Sequence, residues 1–309
     1  MAAKKKASNR QKVSTSQLFN FVKDSYLERT SRPIYAILFL LPFIVFYEVG
    51  TILINTDLLN RLQGRVVAFV WLLELSRFAG LDDRLAWIGP PIVAILVLLG
   101  LQIASGKSWA FYPHDAPPML LECTLLAVPL VVLSVFLNTQ FNKPGAAPPP
   151  PAGQAAAVMQ AEVNTEAPDG NQAGYETPSG NAGPYPGSLL ASLVTSIGAG
   201  IYEELVFRLI LICLLVVIFQ DLLRTPYTNA VILSVLISAA LFSAYHNVHF
   251  VEGRFDAGIP FTWTEFAFRT VAGVYFAVLF AVRGFGITAG THMFYDILAT
   301  VLNALFFAS

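Results

Sequence analysis

Long apolar runs separated by short polar breaks set the rhythm of this chain. Such runs occupy 33–54, 86–104, 119–137, 188–219, 229–245, 263–282 and 287–307, with a weaker one at 66–78. At about 1.5 Å per residue, helices of this length suit a hydrocarbon core of about 30 Å. The pattern predicts an all-α fold, a polytopic membrane helix bundle of about eight transmembrane helices. The count falls to seven if 66–78, which contains Glu74 and Arg77 and follows Arg65, lies at the interface instead. The run 188–219 would reach about 48 Å as one helix, so it must tilt, bend or project from the bilayer.

Two polar regions frame these runs. Residues 1–32 carry Lys4, Lys5, Lys6, Arg10, Lys12, Lys23, Arg29 and Arg32, an excess of positive charge that predicts a cytoplasmic N-terminal arm touching anionic membrane lipids. An amphipathic stretch at about 16–27 would lie along the surface. Residues 138–186 are rich in Pro, Ala and Gly and poor in bulky apolar residues, the composition of a disordered linker. The chain therefore divides into the arm (1–32), a first group of membrane helices (33–137), the linker (138–186) and a denser core (187–309). An eight-span count with a cytoplasmic arm puts the linker in the cytoplasm; seven spans reverse that.

Composition narrows the class. With 55% hydrophobic and 13% charged residues, the chain is too poor in surface charge for a soluble protein of its size. Outside the arm nothing is basic and aromatic enough for nucleic acid. Cys123 and Cys213 both fall in apolar runs, as small buried hydrophobes rather than a disulfide framework. Nothing in the pattern specifies an oligomeric state.

Three polar clusters interrupt the core at membrane depth: Glu203-Glu204 with Arg208, Phe242 with His246, and His292 with Asp296. An ionised side chain at the bilayer centre costs about 2.5–3.5 kcal/mol on insertion scales, so such residues are rare, face inward and pair. The three clusters are expected to form one site in the last four helices. On an α-helix Arg208 shares a face with Glu204 rather than Glu203, which predicts a Glu204–Arg208 ion pair and a separate Glu203 carboxylate. His292 and Asp296 are one turn apart and share a face. Glu48, toward the far end of the first span, either joins the site or meets the interface. His249 ends the His246 helix or falls in the following loop, and Ser243 reads as packing.

A glutamate can take a proton from water while histidines ligate a divalent metal or donate to a developing oxyanion. Glu203, His246 and His292 form the candidate metal set, for which zinc suits the ligand types, although their spacing is not that of a His-Glu-x-x-His helix. The rival readings are a non-catalytic membrane immunity or scaffold protein that binds a peptide in the same place, and a transporter using these groups as a proton relay.

Glu-Glu-x-x-x-Arg, Phe-x-x-x-His and His-x-x-x-Asp, in this order and each in an apolar helix, resemble the motifs of the CPBP family of membrane proteases, which includes CAAX prenyl endopeptidases and bacteriocin-processing enzymes. The resemblance covers about 187–307, where Phe266, Phe268, Gly273 and Gly290 also fit. It implies an intramembrane endopeptidase acting on a membrane-associated or lipidated protein or peptide, in a bacterial inner membrane. Glu203 would activate water, His246 would assist, and Glu204, Arg208 and Phe242 would support the site. His292 and Asp296 would stabilise the oxyanion or help hold a metal. The prenyl endopeptidases of the family carry Asn where this chain has Asp296. An ionised aspartate repels an oxyanion, so this position must be protonated, paired with His292 or metal-bound.

Overall fold

The computed structural model describes residues 21–57, 66–141, 186–251, 254–257 and 261–306. The helices are α1 (Tyr26–Thr30), α2 (Pro33–Asp57), α3 (Val67–Phe78), α4 (Asp83–Ala86), α5 (Gly89–Ser105) and α6 (Ala116–Phe141). After the linker come α7 (Pro186–Glu204), α8 (Ile212–Val217), α9 (Tyr227–Tyr245), α10 (Trp263–Arg283) and α11 (Phe285–Phe306). Two π-helical segments, Leu205–Leu211 and Ile218–Leu222, carry α7 through α8 as one continuous rod. The linker stretch 142–185 and the proximal arm 1–20 lie outside the described residues.

Among the described residues five helices are long and apolar enough to cross a membrane: Pro33–Leu53, Pro113–Leu137, Leu189–Leu222, Tyr227–Tyr245 and Trp263–Arg283, with Gly89–Ser105 a shorter apolar helix. The protein is an integral membrane protein. The described residues account for five of the expected eight. The weak second run forms α3, whose 12 residues extend about 18 Å, short of the hydrocarbon core. It tucks against α5 and α7 instead, with Val66 to Phe69 buried. α11 has the length, but His292, Tyr295 and Asp296 break its apolar run, and it packs among α2, α6, α7 and α10.

A second departure from the all-helical expectation is an antiparallel ribbon of β1 (Val248–Val251) and β2 (Arg254–Ala257), with Val248 opposite Ala257. The run Val-His-Phe-Val favours strand over helix. His249 therefore sits on β1; its side chain lies outside the described residues.

The distal arm is folded, a feature its charge pattern does not announce. Arg29 donates through Nε and Nη2 to both Asp115 oxygens at 3.0 and 2.8 Å, and the Tyr35 hydroxyl donates to the same carboxylate at 2.8 Å. Arg283 donates to both Glu122 oxygens at 2.6 and 2.8 Å and to the Leu27 carbonyl at 2.9 Å. Arg32 pairs with Glu28 and with Asp24. Burial opposes ionisation of Glu28, but the Arg32 hydrogen bond and charge outweigh it and hold that carboxyl below the usual range.

These bonds form a collar that gathers the starts of α2, α6 and α11 with the ends of α5 and α10; the Ile34 amide donates to Gln102 Oε1 at 3.1 Å. Gly284 makes the α10–α11 elbow at φ 77°, where a Cβ would come within 2.9 Å of the Ser31 carbonyl oxygen, so only glycine fits. Because α2 and α6 both leave from the collar, the end of α6, where the linker attaches, lies at the far end of the bundle. α7 then runs back antiparallel to α11: Ser196 Oγ lies 3.5 Å from Thr300 Oγ1, and Gly200 abuts Met293.

Candidate active site

Glu203 and Glu204 close α7, and Arg208 follows inside the π segment. The wider i→i+5 turn disturbs the local carbonyl ladder, and the Ser238 hydroxyl on α9 donates to the Phe207 carbonyl at 2.7 Å. Arg208 Nη1 lies 3.2 Å from Glu204 Oε1, the ion pair expected from helical spacing. Its guanidinium sits 4.1 Å over the Phe242 ring and 5.5 Å from Phe276. Aromatic faces thus hold part of a charge that water cannot reach.

His292 joins the clusters. Its Nδ1 lies 2.7 Å from Glu204 Oε1. A carboxylate only accepts, so Nδ1 carries the proton and donates. That bond fixes the ring so that Nε2 faces Glu203 Oε2 at 3.9 Å and Asp296 Oδ2 at 3.6 Å. The ring stacks on Phe276 with centroids 4.6 Å apart and planes 17° apart. The shared face of His292 and Asp296 is as expected, but the short hydrogen bond of His292 runs to another helix rather than to Asp296.

His246 caps the end of α9, its Nδ1 2.8 Å from the Phe242 carbonyl. The same logic puts the proton on Nδ1 and leaves Nε2 as the acceptor in the neutral ring. The Phe242 ring lies 5.0 Å from His246 and 5.9 Å from His292, bridging the two imidazoles. Beside it, the Tyr245 hydroxyl accepts from the Ala68 amide at 3.0 Å, which caps the buried start of α3. Glu203, Glu204, Arg208, Phe242, His246, His292 and Asp296 are all buried. Among the described residues neither Glu203 oxygen has a hydrogen-bond partner, which leaves this carboxylate available to another group.

Peripheral expectations divide. Glu48 accepts from the Tyr202 hydroxyl at 3.2 Å, so it reaches the residue next to Glu203. Ser243 donates to the Phe266 carbonyl at 2.8 Å and ties α9 to α10, a packing role. Cys123 is buried but Cys213 is exposed, on the outside of the rod rather than inside it. Phe276, Tyr202 and Tyr245 escaped the sequence reading, because aromatic residues are common in membrane helices and only the fold puts these three beside the charges. For the metal set, no three His, Cys, Asp or Glu side chains among the described residues form a group that could hold an ion.

Fold and site together define a polytopic membrane protein that buries an acid–histidine cluster against an arginine. Residues 185–298 match the family model described as type II CAAX prenyl endopeptidase Rce1-like. That stretch contains every residue of the cluster and is consistent with the CPBP resemblance of the three motifs. Comparison with curated proteins and with solved structures gave no match.

Proposed function

We propose that this protein is an integral-membrane endopeptidase that hydrolyses a peptide bond of a membrane-associated or lipidated protein with a water activated by Glu203. The observation that carries the reading is the buried Glu203 carboxylate, free of hydrogen bonds and facing His292, within a Rce1-like domain. Glu203 takes the proton from water as its oxygen attacks the scissile carbonyl carbon, with His246 Nε2 assisting as acceptor. His292, protonated at Nε2, donates to the oxyanion, and Asp296 stabilises the charge on that imidazole. The carbon–nitrogen bond then breaks, and the proton held by Glu203 passes to the leaving amine. Glu204 and Arg208 position His292. The basic arm supports a cytoplasmic N-terminus, and the resemblance supports a bacterial inner membrane.

The test compares new protein termini in membranes from cells expressing the wild type or Glu203→Gln at equal levels. Termini that vanish with the substitution support the peptidase and reveal its cleavage sequence. A second reading, a peptide-binding immunity or scaffold protein, draws on Asp296 standing where the prenyl endopeptidases have Asn. Unchanged termini, with a wild-type phenotype kept by the Gln variant, would decide for it.

A further inference from the structure

Arg269 on α10 is a charge the reaction above does not use. It is buried at 5% exposure. Its Nη1 lies 3.5 Å from Glu265 Oε2, one turn earlier, yet neither atom makes a hydrogen bond among the described residues. A buried guanidinium with one loose ion pair is expensive, and such residues inside a membrane are retained where they meet something. Its surroundings point toward the site. Arg269 is within electrostatic reach of Glu203 and of Tyr295, the residue before Asp296. One turn further along α10, Ala272 and Gly273 lead to Phe276, on which His292 stacks.

The position also fits access from the bilayer surface. Phe261, Trp263 and Phe266 form an aromatic cluster at the start of α10, with Phe261 to Trp263 centroids 4.9 Å apart and Trp263 exposed. Aromatic residues of this kind mark the membrane interface. Arg269 follows Trp263 by six residues, about 9 Å along the helix.

We infer that Arg269 is a specificity residue whose guanidinium binds a carboxylate of the peptide beside the bond to be cut. The inference rests on the peptidase reading for its purpose but not for its test. A planar guanidinium matches a carboxylate in a fork geometry that lysine cannot copy. Glu265 occupies part of that fork in the absence of peptide and competes with the incoming carboxylate.

The test measures binding, in the full chain reconstituted in lipid nanodiscs and carrying Glu203→Gln so that nothing is consumed. The probes are fluorescent ten-residue apolar peptides in three forms: free C-terminal acid, C-terminal amide, and amide with one internal glutamate. The expected result is retention of at least one acid-bearing form about 10-fold tighter than the plain amide, the size of one charge-assisted contact. Which form it is tells a terminal from a side-chain carboxylate. Adding Arg269→Gln should abolish the difference, and Arg269→Lys should restore part of it. Glu265→Gln should tighten the acid form, an effect that a purely structural Glu265–Arg269 pair does not predict. Equal or absent retention of all three forms, or a preference that survives Arg269→Gln, overturns the inference. A chain with Glu203 intact that keeps this preference but produces no new termini would count against the peptidase reading alone.

Discussion

Adding one methyl group at Gly200 should disable the site without touching any of its polar atoms. A Cβ there would stand 2.6 Å from Met293 Cα and 2.7 Å from Met293 Cβ, with the Met293 amide nitrogen also in contact. Ordinary contact begins at 3.4 Å, so α7 and α11 must part locally by about 0.8 Å or more, given how tightly packed cores resist extra volume. The clash is with backbone, so no trimming of the Met293 side chain relieves it. Gly200 lies one turn before Glu204, and Met293 follows His292, so the same displacement stretches the 2.7 Å Glu204–His292 bond beyond hydrogen-bonding range. Gly200→Ala should lower stability by about 1–3 kcal/mol and slow cleavage by about 100-fold, the usual penalty for misplacing a reacting group by an ångström. The assay is the rate at which the termini found with wild type appear in reconstituted vesicles, alongside a thermal melt. Gly100→Ala is the control: it sits on α5 with nothing within 4 Å of its added carbon and should be neutral or slightly stabilising. A Gly200→Ala protein that cleaves and melts like wild type would show that helix spacing does not set the geometry of His292.

Two other substitutions probe charges at different depths. Arg208→Gln leaves Glu204 without its cation in a water-free interior and should cost about 3–5 kcal/mol, read as a lower melting temperature and less detergent-stable protein; an unchanged melt would mean that His292 alone satisfies Glu204. Glu28→Gln tests the collar, since a carboxyl whose folded-state pKa is depressed contributes stability above its unfolded value and loses it as the pH falls through the folded one. Wild type should therefore lose part of its stability advantage over Glu28→Gln as the pH drops below about 4.3, and melts that differ equally at pH 7 and pH 3 would contradict this.

Much of the site was legible because the cost of burying charge in lipid restricts where Glu203, Arg208, His292 and Asp296 can go. The Glu204–Arg208 pair follows from helical spacing alone. What the spacing could not disclose was the partner of His292: a one-turn neighbour, Asp296, looked sufficient, but the short bond crosses to Glu204 on α7. That choice depends on the close approach at Gly200, a fact of packing rather than of periodicity. The second apolar run misled for a related reason. Hydropathy registers that Val66 to Phe69 avoid water but not that they avoid it by packing under Tyr245 instead of by crossing the bilayer. The collar was hidden because Arg29 and Arg32 read as free orienting charges, and Asp115, the carboxylate partner of Arg29, belongs to a distant turn.

The collar also sets an order of assembly. Arg283 reaches back 256 residues to the Leu27 carbonyl and 161 residues to Glu122. At a synthesis rate of about 5–20 residues per second, Glu122 waits about 8–32 s for its guanidinium, with the Tyr26 hydroxyl as the donor already made. His292 is likewise made 88 residues after Glu204. The site can be completed only when α11 is inserted, and the elbow that delivers α11 is locked by the arm, made some 250 residues earlier. A nascent chain interrupted before Arg283 therefore holds Glu122 without its guanidinium and Glu204 without His292, so the site and the collar that frames it are completed together.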